Sequence, residues 1–171
     1  MAILPVRIYG DPLLRKRAER LENIDAATDS LVENMYATLA KQNGIGLAAP
    51  QVGLSRRLFV ADTSPVIERG SRAVFINPEI IGTDGDAVYE EGCLSFPGIY
   101  FDLHRPRRVG IRYLDLQGNE HNLEANGVLA RIILHEFDHL EGRLFIDLLT
   151  EEAREKIKKL MRQRNIIPAK P

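Results

Sequence analysis

The chain has 171 residues, 44% apolar and 27% charged, with 23 Lys plus Arg against 24 Asp plus Glu. That composition supplies a packed core and excludes general disorder, and a net charge of −1 excludes both a general polyanion binder and the acidic-tail class. Its one cysteine, Cys93, excludes an internal disulfide framework, and no apolar run approaches the ~20 residues that cross a bilayer.

Residues 1–26 are mixed, with Gly10-Asp11-Pro12 as a turn signal, and the first seven are too soon interrupted for a signal peptide. Over 26–42, Leu31, Met35 and Leu39 recur every four residues, flanked by Val32 and Tyr36, which predicts an amphipathic helix ended by Asn43-Gly44. A glycine-rich segment spans 44–53. Residues 57–61 and 73–77 read as strands, 82–86 as a turn, and 87–89 as the start of another strand. The alternation over 108–116 predicts a strand, Gln117-Gly118-Asn119 a hairpin turn, and 121–124 the returning strand. Asn126 is placed to cap a helix running to about Leu140 and stopped near Gly142. Residues 144–147 form a short apolar segment. Thr150 then caps a last helix over about 150–165, with Glu151 and Glu152 in its first turn and a stripe of Ala153, Ile157, Leu160 and Met161. Strands cluster rather than alternate with helices, so the expected class is α+β in one domain, 1–171. The expected setting is soluble and cytoplasmic, because a lone thiol suits a reducing compartment.

His135-Glu136-Phe137-Asp138-His139 fits the pattern H-E-x-x-H. Residues four apart on a helix lie about 40° apart around its axis and roughly 6 Å apart along it, so two imidazoles so placed can converge on one metal ion. Glu136 sits about 100° round from His135, beside the metal, which suits a base acting on water there. A surface helix carries this pattern by chance in about 1% of chains of this length. Leu129, Ile132, Ile133, Phe137 and Leu140 make the helix apolar over much of its circumference, so it is expected to be buried, and polar groups in a core need partners. Asp138 reads either as a group orienting a ligand histidine or as a solvent-facing carboxylate.

A metal site of this kind takes a third protein ligand. The extended pattern HExxHxxGxxH fails, because Phe145 stands at its last ligand position. Glu155 is conceivable but lies in a charge-rich stretch that reads as a solvated face. Cys93, in Glu91-Gly92-Cys93-Leu94-Ser95, reads either as a ligand or as a small buried apolar residue. Gly44-Ile45-Gly46-Leu47-Ala48-Ala49 superficially fits a dinucleotide fingerprint, but a helix precedes it and Pro50 follows. It reads instead as a backbone-exposing edge beside a ligand, with Gln51 offering an amide, or as a tight turn with packed alanines.

Three segments together resemble the peptide deformylase family. They are Gly44-Ile45-Gly46-Leu47-Ala48-Ala49-Pro50-Gln51, Glu91-Gly92-Cys93-Leu94-Ser95 and the H-E-x-x-H segment, in the family's order and at compatible separations. The resemblance implies antiparallel or mixed sheets packed around a central H-E-x-x-H helix, with a C-terminal helix. It implies Cys93, His135 and His139 as ligands of one divalent metal, with ferrous iron native and zinc, nickel or cobalt accepted by the same donors. It implies hydrolysis of the N-formyl group from the first methionine of new polypeptides, with Glu136 as base and Gln51, Leu94 and Gly46 contacting the reacting group. A methionine pocket is expected from Gly44, Ile45, Tyr89, Leu129, Arg131 and Ile132, with Glu91 shaping the Cys93 loop. Some relatives carry an acidic residue at Asn43, an arginine near Tyr100 and an apolar residue at Arg131, so peptide-side contacts are where this chain departs. Residues 150–171 hold seven basic residues, Arg154, Lys156, Lys158, Lys159, Arg162, Arg164 and Lys170, against three acidic ones. They offer either a ribosome contact or a solvated helix face. The expected partners are formylmethionyl nascent peptides and the ribosome, with no membrane, for a monomer. The rival readings are a zinc endopeptidase, a basic-helix RNA-binding protein with a structural metal, and a relative acting on another acyl group.

Overall fold

The computed structural model describes residues 1–166. In chain order it has α1 (Ala26–Lys41), β1 (Gly46–Ala48), β2 (Leu58–Asp62), β3 (Arg72–Asp84), β4 (Ala87–Gly92), β5 (Tyr100–Arg105), β6 (Arg108–Leu114), β7 (Glu120–Asn126), α2 (Gly127–Leu140) and α3 (Glu151–Gln163). Five strands form an antiparallel sheet in the order β1-β2-β3-β6-β7, and β4 pairs with β5 in a separate two-stranded sheet. The class is α+β, as expected, and every pairing between these strands is antiparallel.

β2 shows how the layers form. Its five residues are all buried, and alternate side chains leave opposite faces of the sheet. Phe59 and Ala61 join the core beneath α2, where Phe59 stacks on Phe75 at 4.6 Å. Leu58 and Val60 join Leu31, Val32, Met35 and Leu39 of α1 on the other face. A strand covered on both faces has a near-continuous apolar sequence, which is why it was legible.

α1 begins where the Asp25 carboxylate accepts the Thr28 N–H, at 3.0 Å. It ends with Asn43 at φ 53, the left-handed residue that stops a helix. α2 starts differently from expectation. Asn126 occupies the capping position but makes no side-chain cap bond, and the chain enters through Gly127 at φ 57. Thr150 caps α3 as expected, its hydroxyl accepting the Ala153 N–H.

β3 corrects the predicted turn over 82–86. The strand runs past Pro78 to Asp84 with two shifts of register against β6, and the turn shrinks to Gly85-Asp86. Pro78 cannot donate to a ladder, and a local bulge accommodates it without ending the strand. β5 had no counterpart in the expected elements. Its inward positions are Phe101, Leu103 and Arg105, and a buried arginine in that row disguises the alternation.

α3 packs Ile157 and Met161, both fully buried, against a third core that holds Phe96, Ile99, Leu144 and Phe145. That core carries the loop following Cys93. Lys170 of the basic C-terminal segment lies outside the described residues. No helix among the described residues is long and apolar enough to cross a membrane.

Candidate active site

α2 lies across the sheet and presents His135, Glu136 and His139 to one end of it, all buried. Burial of the apolar face of α2 fixes the rotation of the helix, and the four-residue spacing then brings the two rings together, 5.0 Å between centroids. Cys93 arrives from the loop after β4, with Sγ 3.3 Å from His139 Nε2. Cys93, His135 and His139 each offer one ligand atom, and these lie within 4.8 Å of one another. They are the one such metal-capable cluster among the described residues. Two imidazoles and a thiol suit a divalent transition metal.

The electrostatics of the two histidines differ. His135 Nδ1 is paired with the Glu91 carboxylate at 2.5 Å, which leaves Nε2 as the ring nitrogen facing the site. Burial works against a charged His135, but the Cys93 sulfur and Glu91 outweigh it and raise its pKa well above the ordinary value. Burial and the neighbouring His135 lower His139 well below the ordinary value and keep it neutral, the form that binds a metal. Burial pushes the Glu136 carboxyl up to about 7, with Glu91 adding to the rise and His135 opposing it. Glu136 Oε2 and His139 Nδ1 are buried and have no protein hydrogen-bond partner among the described residues. Buried polar atoms without partners are costly in a folded chain, and Glu136, which lines a pocket, marks where a ligand completes the structure.

Glu91 is held on all sides. Arg105 grips both of its oxygens at 2.7 and 2.8 Å, and Arg131 reaches it at 3.2 Å. Burial raises the pKa of Glu91, but His135 and Arg105 overcome that and hold it far below the usual carboxylate range. Glu91 was expected to shape the Cys93 loop. It does more, because it fixes the tautomer and orientation of His135. Asp138 takes neither role considered for it. It pairs with Arg105 at 2.7 Å and Arg143 at 3.0 Å, and so anchors the arginine that anchors Glu91.

The pocket is about 570 Å³. Gly44, Ile45, Gly46, Gln51, Glu91, Cys93, Leu94, Arg131, Ile132, His135 and Glu136 all line it, so all three sequence segments meet there. His139 lies just behind, through the Cys93 contact. Gln51 is buried, accepting the Ala48 N–H at 2.9 Å and donating to Ser95 Oγ at 3.3 Å and Cys93 Sγ at 3.5 Å. Gly46 lies on β1, the edge strand. A Cβ there would collide with the Glu136 carboxylate and sit 2.9 Å from Ile132, so only glycine lets the edge approach the base so closely.

Two expected pocket residues stand elsewhere. Leu129 packs into the core beneath α2, and Tyr89 is 46% exposed with the Arg131 guanidinium over its ring at 5.0 Å. Tyr89 shares the β4 face of Glu91, two residues on, and both meet Arg131, but Tyr89 lies at the exposed part of the strand and outside the pocket wall. Arg131 lines the pocket, but its charge is occupied. It donates to the carbonyls of Ala87 at 2.9 Å and Leu103 at 3.2 Å as well as to Glu91. Glu155 is exposed on α3 and pairs with Lys158, away from the histidines. Sequence reasoning missed Arg105, Ser95 and the pocket wall of Val66, Phe96 and Pro97, while Tyr100, expected among the peptide-side positions, lines the pocket. Ser95 had a signal in its place two residues after Cys93, but Arg105 had none without β5.

A family model described as polypeptide deformylase matches residues 3–155. The peptide deformylase of Thermodesulfovibrio yellowstonii is 47% identical over 159 residues, 93% of this chain and 96% of that protein. That of Stenotrophomonas maltophilia is 46% identical over 168 residues, 96% of this chain and 98% of that protein. Among solved structures, peptide deformylase from Ehrlichia chaffeensis in complex with actinonin superposes with a TM-score of 0.91 at 34% identity, covering 98% of this chain and 100% of that one. The Thermus thermophilus peptide deformylase gives 0.87 at 39% identity, covering 96% of each chain.

Proposed function

The chain belongs to the polypeptide deformylase family of metal-dependent hydrolases, and from that premise we propose how its own residues remove the formyl group from the first methionine of new polypeptides. The observation that carries the reading is a buried carboxylate, Glu136, with an unpartnered oxygen at the wall of a pocket that also holds Cys93 and His135.

Cys93, His135 and His139 would hold one divalent ion, with ferrous iron as the native metal and zinc, nickel or cobalt as substitutes for the same donors. Such an ion, when bound, polarises a carbonyl and brings the pKa of water to about 7. Glu136 takes the proton of the attacking water as the formyl carbon is attacked. It then delivers that proton to the amine that leaves. Its tendency to hold a proton near neutral pH suits both halves of the task. The Gln51 amide and the Leu94 backbone N–H are assigned to the developing oxyanion. Losing one such donor costs about 3 kcal/mol of barrier. Gly46 admits the substrate backbone along β1, and Ile45, Ile132 and the stem of Arg131 receive the methionine side chain.

In this reading the enzyme acts as a monomer, with a single metallohydrolase domain over 1–171. In this reading the enzyme works in the cytoplasm beside the ribosome, with the exposed Lys156 and Lys159 of α3, and Arg164 just past its end, as contacts to its phosphates. The decisive experiment is formate release from formyl-Met-Ala-Ser by protein prepared anaerobically with ferrous iron. Rapid release, reduced at least about 10²-fold in Glu136→Ala with metal retained, is the expected result. A folded, metal-loaded protein that releases no formate would refute the reading in favour of another acyl substrate. Cleavage of internal peptide bonds would favour the endopeptidase.

A further inference from the structure

One wall of the catalytic pocket is a turn, and α3 ends against it. Phe96, Pro97 and Gly98 line the pocket just past Cys93. The Ile99 N–H donates to the Phe96 carbonyl at 3.2 Å and closes a four-residue turn. Pro97 and Gly98 hold its two central positions, Gly98 at φ 69, the pairing that a type II turn favours. Phe96 and Ile99, at the ends of the turn, are buried, while Pro97 and Gly98 are exposed. Phe96 stacks on Tyr9 at 4.8 Å and meets Phe145 edge-on at 4.9 Å, and Ile99 shares the third core with Ile157 and Met161 of α3. Packing therefore fixes the two ends of the turn, and its tip stands at the mouth of the pocket without such support.

The end of α3 supplies a support. Asn165, at φ 54, donates its N–H to the Arg162 carbonyl at 3.0 Å, and Ile166 donates to that of Met161 at 2.9 Å. This pair of bonds is a Schellman stop, and Ile166 packs on the third core as such a stop requires. Arg164, just before Asn165, is held by its own N–H to the Leu160 carbonyl at 3.0 Å. Its guanidinium crosses to the turn, where Nη1 donates to the Gly98 carbonyl at 3.1 Å. Among the described residues this is the one side-chain hydrogen bond to Pro97 or Gly98. A Cβ on Gly98 would stand 3.0 Å from the same nitrogen, so the guanidinium covers the tip closely.

We propose that Arg164 is a positioning residue for the substrate peptide. By holding the Gly98 carbonyl it fixes the Pro97-Gly98 tip at the mouth of the pocket, where the residues after the formylated methionine pass. The proposal rests on the deformylase reading for its substrate, and on α3 and the turn for its geometry. Arg164 is not among the residues that line the pocket, so it acts through Gly98. Glu136 is buried deeper in the pocket, apart from the tip. A loosened tip therefore weakens the hold on the peptide and leaves the reacting groups in place, which separates KM from kcat.

The test uses the full chain in its metal-loaded form and amidated formyl-Met-Ala-Ser, whose neutral end removes attraction to the basic helix as a cause. Arg164→Ala is expected to raise KM about threefold, with kcat and the thermal midpoint unchanged. Arg164→Lys, which keeps a donor, should lie between that variant and the parent. Hydrogen exchange at the Ile99 N–H, which closes the turn, should become about fivefold faster in Arg164→Ala. A parent-like KM, or parent-like exchange at Ile99, overturns the proposal, as does a fall in kcat that matches the rise in KM. Absence of formate release from the parent protein, with Ile99 exchange still faster in the variant, would instead strike the deformylase reading and leave the contact between α3 and the turn in place.

Discussion

Arginine meets carboxylate in two contrasting settings. Between α2 and the two-stranded sheet, Arg105 and Glu91 are 4% and 5% exposed and form a paired, doubly hydrogen-bonded unit tied to His135, Arg131 and Asp138. On the outer part of the five-stranded sheet, Arg108 pairs with Asp84 and Arg112 with Glu79, with side chains from 45% to 64% exposed. The contacts are alike in type but not in consequence. Water screens the outer pairs and replaces either partner when it is lost. The inner group has no such replacement, so every member must remain satisfied and each fixes the position of the next. Dense buried charge beside Cys93, His135 and His139 thus acts as scaffolding for the donors.

This contrast can be broken from the inside outward. Arg105→Ala leaves the buried Glu91 and the half-buried Asp138 without their shared partner, and should cost about 3–5 kcal/mol in denaturant unfolding. Metal content should fall with it, because His135 loses a fixed orientation. A variant as stable as the parent would show that water enters and that the interior is not as dry as the contacts imply. Arg131→Ile keeps an apolar wall but releases the Ala87 and Leu103 carbonyls that join both strands of the small sheet to α2. A loss of about 1–2 kcal/mol is expected, with KM for formyl-Met peptides raised more than kcat is lowered. Equal loss in both constants would move Arg131 from shaping the pocket to supporting the chemistry.

The Arg15–Asp147 pair sits between the two settings, with 41% and 31% of its side chains exposed. Burial opposes ionisation of Asp147, but Arg15 and the Leu144 N–H prevail and depress its pKa. A depressed carboxylate adds stability that is complete above its unfolded pKa of about 4 and is lost as pH falls through the lower folded value. Asp147→Asn should therefore flatten the acid side of a thermal stability profile and leave the profile above pH 7 parallel to the parent's. The smallest effect belongs to Arg108→Gln, which should leave the melting temperature unchanged within error at moderate salt. A clear drop would mean that the outer pairs act as a network.

Truncation after Thr150 would not be a clean way to remove the basic charge of the C-terminal segment. Ile157 and Met161 are fully buried against the core that carries the loop after Cys93, so truncation would expose that core. Charge reversal at exposed lysines of α3 is the cleaner test.

Much was legible where a local rule governed the outcome. The period of 3.6 revealed α1, α2 and α3, and β2 showed itself as an apolar run covered on both faces. The metal-capable pair His135 and His139 was visible because a helix fixes the geometry of residues four apart. Cys93 was ambiguous as a lone thiol and became a ligand candidate through the combination of three segments. β5 was hidden because its buried row ends in an arginine, and with β5 went Arg105. Tyr89 and Leu129 were misplaced because face and burial depend on pairing and packing, which short segments do not encode.

Local sequence by itself determined the helices, the α+β class and the chemistry of the three segments, because spacing along a helix and residue type act over a few bonds. Only the tertiary structure decided what surrounds that chemistry. It turned Glu91 onto His135, paired Arg105 with both Glu91 and Asp138, left Glu136 with an unpartnered oxygen, and set Arg164 against the turn at the pocket mouth. These arrangements join residues up to 66 positions apart, such as Gly98 and Arg164, and arise when apolar faces bury and polar groups between them must find partners.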